Sequence, residues 1–108
     1  MEQEFLIKGS WLIVAMPEEV DHHSAAILRN RVDAILDHQP VRHVAFDFSR
    51  TTFMDSSGIG MIMGRYRKVI QKNGEIRAIH VDDRINRILQ LSGIYKIIEI
   101  SRENSEEN

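Results

Sequence analysis

Cysteine is absent from this 108-residue chain. Disulfides, thiolate metal sites and a cysteine nucleophile are therefore excluded together. Positive charge is not in excess either: 14 lysines and arginines stand against 16 aspartates and glutamates, a net charge of -2. A nucleic-acid binder needs a clearly basic surface, so no direct contact with DNA or RNA is expected. No apolar run approaches the ~20 residues of a membrane helix. The opening "MEQEFLIKG" is acidic and lacks the basic start and long apolar core of a signal peptide. These absences lead us to expect a cytoplasmic domain with no membrane partner.

What is present fits a soluble globular chain, with 43% apolar and 28% charged residues. The length suits one domain of roughly 100–150 residues, which buries about two-thirds of its unfolded surface around one core. "EFLIKGSWLIVAM" reads as two strands joined by a short turn at Lys8-Gly9-Ser10, after which Pro17 and Glu18-Glu19 break the pattern. From Ser24, Ala25, Leu28, Val32, Ile35 and Leu36 recur at helical spacing, ending near His38 before Pro40. "VRHVAFDF" has the alternation and the branched or aromatic content of a strand, and "EIRAIHV" reads as another strand. Between them a helix runs to about Lys72 and closes at Asn73-Gly74, a pair suited to the left-handed end of a helix. Asp82 and Asp83 can cap a short helix carrying Ile85, Ile88 and Leu89, with Gly93 as its stop and "YKIIEI" as the last strand. The order ββαβαβαβ, with no repeat or linker, predicts an α/β fold: a mixed sheet with helices packed against it. The domain is expected over residues 1–100, and the polar tail 101–108 is expected to fray.

The segment "FMDSSGIGMIMGRY" places an acid, two hydroxyls and a glycine where a strand gives way to a helix. Asp55, Ser56 and Ser57 are all good N-cap residues, and capping alone would justify one of them. Turned at 100° per residue from Gly58, the helix puts Ile59, Ile62, Met63, Tyr66 and Ile70 on one stripe, the expected core face. Gly60, Met61, Gly64, Lys68 and Gln71 then face outward, with Ser57 above them. An exposed methionine beside bare glycines suits a surface on which another protein packs.

Catalytic and metal readings of the same residues are weaker. "GIGMIMG" is one residue longer than the dinucleotide fingerprint, and no acidic residue ends the next strand before Asp82. A weak phosphate or nucleotide site at the helix start stays open. There is no Walker loop, and D-S-S-G is not the G-x-S-x-G elbow of hydrolases. Adjacent His22 and His23 would point about 100° apart on a helix and converge poorly on a metal. Asp47 ends a strand, as a receiver phosphoacceptor would, but the acidic pair and lysine that complete such a site are not in place. We expect no catalytic residues and no metal site.

"FMDSSGIGMIMGRYRKV", with "VDHHSA" upstream and "LQLSGIYKIIEI" downstream, resembles the anti-sigma factor antagonists of spore-forming bacteria. Within that group it looks most like those acting on the anti-sigma F factor. These are single STAS domains, and the resemblance covers nearly the whole chain. It implies a switch protein and not an enzyme. The unphosphorylated form binds an anti-sigma factor that is also a serine kinase, and so frees the sigma factor. Phosphorylation ends the binding until a PP2C-type phosphatase reverses it. The resemblance places the phosphoacceptor at Ser57 and puts Asp21 near the docking surface. It implies no cofactor on the chain itself; ATP or ADP and Mg²⁺ belong to the partner kinase. The partner-binding set is then Asp21, Asp55, Ser56, Gly58, Gly60, Met61, Gly64 and Lys68. One position departs: where the family commonly has glycine, in G-E-L-D, this chain has Glu18. The runner-up readings are a STAS module of a stress-response partner switch and a weak nucleotide-binding protein.

A phosphoserine carries about -1.5 to -2 charges. At a helix start the dipole tolerates it, worth about 0.3–2 kcal/mol, so the domain should stay folded. Misplaced charge at an interface costs several kcal/mol, so a partner should let go.

Overall fold

The computed structural model describes residues 4–102. Strands β1 (Phe5–Lys8) and β2 (Trp11–Ala15) form the expected hairpin, turning at Gly9 with φ +59°. Strand β3 (Glu19–Val20), helix α1 (His22–His38), β4 (His43–Asp47), β5 (Phe53–Met54) and helix α2 (Ser56–Gln71) follow. The chain then runs through β6 (Ile76–Val81), helix α3 (Asp83–Ser92), a 3-10 turn (Ile94–Lys96) and β7 (Glu99–Arg102).

The main sheet has the order β1-β2-β4-β6-β7. Only β1 runs antiparallel to its neighbour; β2, β4, β6 and β7 are parallel, joined by helical crossovers. Alternation along the strands buries Leu12, Val14, Val44, Phe46, Ile76 and Ala78, and these pack in one core with Leu28, Val32, Ile62, Val69, Ile85 and Leu89 from the three helices. On the opposite face Trp11 stacks on His43 with ring centroids 4.7 Å apart, and the Arg77 guanidinium lies 4.9 Å from the Trp11 ring. The fold is thus the expected α/β mixed sheet with three helices.

Three local expectations change. Helix α1 starts two residues before Ser24, because Asp21 and Ser24 form a reciprocal capping box. "YKIIEI" is not all strand. Gly93, at φ +81°, turns the chain left-handed, and Lys96, Ile97 and Ile98 then donate to the carbonyls of Gly93 and Ile94. Those local bonds take the backbone groups that a ladder would have used, and strand β7 begins only at Glu99. Strand β7 runs to Arg102, whose guanidinium pairs with Asp83. The rest of the expected tail, 103–108, lies outside the described residues.

The largest correction concerns α2. Its buried stripe is Gly58, Met61, Ile62, Arg65 and Val69, with Ile59 beside it, whereas Met63 and Ile70 are exposed. The helix is rotated by roughly 100° from the sequence projection, about one residue. The cause is Arg65. A charged residue at the centre of the stripe hides the period, but its stem is buried and its guanidinium faces Asp33 of α1.

Candidate docking groove between the first two helices

A second, two-stranded sheet builds the site. Strands β3 and β5 pair in parallel, Glu19 opposite Phe53 and Val20 opposite Met54. The loops that deliver them are tied together: the buried Thr51 hydroxyl donates to the Pro17 carbonyl at 2.8 Å, and the Thr52 N–H donates to the Glu18 carbonyl at 2.8 Å. Among the described residues, Asn73 and His80 are the non-glycine residues with positive φ, so Glu18 keeps a negative φ. Glutamate therefore occupies this position without backbone strain.

Each short strand runs straight into a helix cap. Asp21 accepts from the Ser24 N–H at 2.9 Å, and the Asp21 N–H donates to the Ser24 hydroxyl at 3.0 Å. The Ser24 N–H holds the Asp21 carboxyl below the usual carboxylate range, against a smaller opposing push from burial. Asp55 caps α2, accepting from the Ser57 N–H at 2.8 Å, while its own N–H donates to Val20 at 3.0 Å. Both helix starts are thus fixed to one ladder and to each other.

Ser57, the second residue of α2, is half-buried in the wall of a cavity of about 230 Å³. Helix α1 contributes His22, Ala25, Ala26 and Arg29 to it, and α2 contributes Gly60, Met61 and Arg65. Gly60 is exposed, and nothing lies within 4 Å of where its Cβ would stand. The groove is therefore small-walled and open beside Ser57.

The other expected site residues divide. Ser56 is exposed at the helix start. Gly58 is buried and structural: a Cβ there would stand 2.6 Å from Met54 and 2.9 Å from Val20. Gly64 opens on free space farther along α2, and Lys68 reaches Asp37 of α1 at 3.2 Å. Met61 is not the exposed docking residue expected from the projection. It is 5% exposed and belongs to the core, offering only an edge to the groove floor.

Sequence reasoning missed Arg29 and Arg65. The Arg65 Nε lies 2.9 Å from Asp33 Oδ1 as an ion pair without hydrogen-bond alignment, and its Nη1 donates to the Met61 carbonyl at 3.2 Å. Burial pulls the Arg65 guanidinium below its ordinary value; Asp33 opposes this, and Arg29 and Arg67 add to it by repulsion. Arg29, by contrast, makes no ion pair among the described residues. Its spacing from Ala25 and His22, i+4 and i+7 on one helix face, was the signal available.

His22 and His23 are both exposed, and among the described residues no three His, Asp or Glu side chains converge as a metal site. Asp47 pairs with His80 at 3.0 Å, well along the chain from Ser57. No described helix is long and apolar enough to cross a membrane.

Residues 3–107 match the family described as the STAS domain. The chain is 37% identical to an anti-sigma F factor antagonist of Paenibacillus polymyxa over 89 residues, 82% of this chain and 76% of that one. It is 25% identical to an anti-sigma-B factor antagonist of Bacillus subtilis over 83 residues, 77% of this chain and 74% of the other. Among solved structures, the unphosphorylated anti-sigma factor antagonist SpoIIAA superposes with a TM-score of 0.80 at 23% identity, covering 94% of this chain and 90% of SpoIIAA.

Proposed function

The chain belongs to the STAS domain family, and from that premise we propose that it is an anti-sigma factor antagonist switched off by phosphorylation of Ser57. Unmodified, it docks through the α1–α2 groove on an anti-sigma factor that is also a serine kinase, and the sigma factor is displaced. The kinase brings ATP or ADP and Mg²⁺; this chain holds no cofactor and catalyses nothing. In the transfer, the bond between the β- and γ-phosphates of ATP breaks and a bond from Ser57 Oγ to phosphorus forms. ADP leaves, and the hydroxyl proton passes to a base on the kinase. A PP2C-type phosphatase hydrolyses the phosphoserine and resets the switch.

The observation that carries this reading is the position of Ser57 in the wall of an open, small-walled groove at the start of α2. A hydroxyl there can be covered by a partner, and a phosphate there cannot be covered without desolvating charge. About 5.5 kcal/mol of differential binding turns a 99:1 balance into 1:99, which sets the scale such a switch needs. Of the two antagonist types among the relatives, the sigma-F type reaches 37% identity over 82% of this chain against 31% over 57% for the sigma-B type, which favours the sigma-F type.

The test is phosphorylation by a candidate anti-sigma factor kinase of each type, followed by site mapping and a pull-down. Phosphate on Ser57, with loss of binding, is expected from the sigma-F type, and Ser57→Ala should stay unmodified and bound. Phosphate mapped to Ser56, or a modified chain held as tightly as the bare one, ends the proposal.

A further inference from the structure

The groove also has a place for the phosphate itself. Resting on Ser57 as the acceptor, we infer that Arg29 of α1 clamps the phosphate, so that the modified side chain folds into the α1–α2 groove of its own molecule.

The helix start alone does not satisfy the new charge. The Ser57 N–H, a donor that would otherwise greet an anion, already serves Asp55 at 2.8 Å. The Asp55 carboxylate then stands two residues from a group carrying about -1.5 to -2 charges. Like charges this close disfavour each other, so the phosphate needs a cation.

Helix α1 supplies one. Arg29 and Ser57 line the same cavity, and Arg29 has no carboxylate partner among the described residues. Arg65 lines it too, but is already engaged by Asp33 and the Met61 carbonyl. Two guanidinium groups therefore meet one carboxylate, and their mutual repulsion is felt at Arg65. One positive charge is left over, on the exposed residue that can swing toward Ser57.

The space fits as well. The cavity is about 230 Å³, several times the ~30 Å³ share of a water molecule. Ala25, Ala26 and Gly60 keep part of its wall low, between the longer side chains of Arg29, Met61 and Arg65. Arginine can meet phosphate oxygens with paired hydrogen bonds, a geometry that a point charge lacks. The clamp changes the groove twice, filling it and neutralising Arg29, with no change of fold.

A chain with phosphoserine installed at position 57 during synthesis tests this without any kinase. Phosphorus NMR follows its second ionisation, which lies near pH 6 when free. The clamp lowers that midpoint by about one unit, Arg29→Gln brings it back to about 6 or above, and Arg29→Lys keeps part of the shift. His22 lines the same cavity, so His22→Gln is titrated alongside and leaves the shift in place. A wild-type midpoint at or above about 6 overturns the clamp, as does a lowered one that Arg29→Gln leaves unchanged. Kinase labelling at another residue would sink Ser57 as acceptor yet leave this titration intact, so the two ideas fail separately.

Discussion

Val20 stands directly opposite Met54 in a parallel ladder two residues long, and each is followed at once by an aspartate that caps a helix. That pairing fixes where α1 and α2 begin relative to each other. It therefore sets the mouth of the groove in which Ser57 sits.

Gly58 is the contact on which this arrangement closes. A Cβ at this position would stand 2.6 Å from Met54 and 2.9 Å from Val20. Alanine would gain about 1 kcal/mol of helix propensity. Overpacking costs about 1–3 kcal/mol, and the branched Val20 yields less readily than Met54. Gly58→Ala should therefore lose stability in urea unfolding; a more stable variant would show that the ladder is free to shift.

Met61 and Gly60 are neighbours with opposite fates. Burying a carboxylate at the 5%-exposed Met61 should cost about 3 kcal/mol or more, so Met61→Asp tests folding and not docking. Gly60 has open space around its Cβ direction, so Gly60→Gln should keep or raise the melting temperature. If partners dock in the groove, it should also weaken kinase binding by about tenfold or more, on the order of 1.4 kcal/mol. Undiminished binding by a folded Gly60→Gln chain would move the docking surface elsewhere.

The contrast shows what the sequence could and could not reveal. Hairpin, crossover helices, caps at Asp82 and Gly93, and the strands β4 and β6 are all local signals, and each was legible. Strands β3 and β5 were not, because two residues carry no periodicity and their pairing is between segments more than thirty residues apart. Ser57 could be located at the start of α2 from its cap residues. The inward face of α2 could not, since a buried arginine reads as an outward one until its partner on another helix is known. Arg29 could be placed on the helix face of His22 and Ala25, but only the packing of α1 on α2 brings that face to Ser57.

The Asp33–Arg65 pair is where that packing is held. Side-chain exposures of 27% and 9% make it a partly buried pair. Asp33→Ala leaves the guanidinium without its counter-charge and should cost about 2–3 kcal/mol, discounted for the exposure of Asp33. The double variant Asp33→Ala with Arg65→Met removes the stranded charge and should recover most of that loss, because methionine fills similar space without desolvation cost. A double variant no better than Asp33→Ala alone would show that shape, and not charge, joins the helices here.

Asp21 gives the site an acid limit with a definite sign. The Ser24 N–H stabilises its ionised form and holds the folded-state value below the ordinary one. An unfolded aspartate titrates near 3.9. A depressed folded value means that the contribution is complete above the unfolded pKa, and is lost as pH falls through the folded one. Asp21→Asn keeps an acceptor for the cap but removes the charge. The wild type should therefore be the more stable of the two at neutral pH, and the gap should narrow as pH drops from about 5 toward 2. Thermal melts of both chains across that range decide it. A gap that stays constant into acid would mean that the bond to Ser24, and not the charge on Asp21, holds the start of α1.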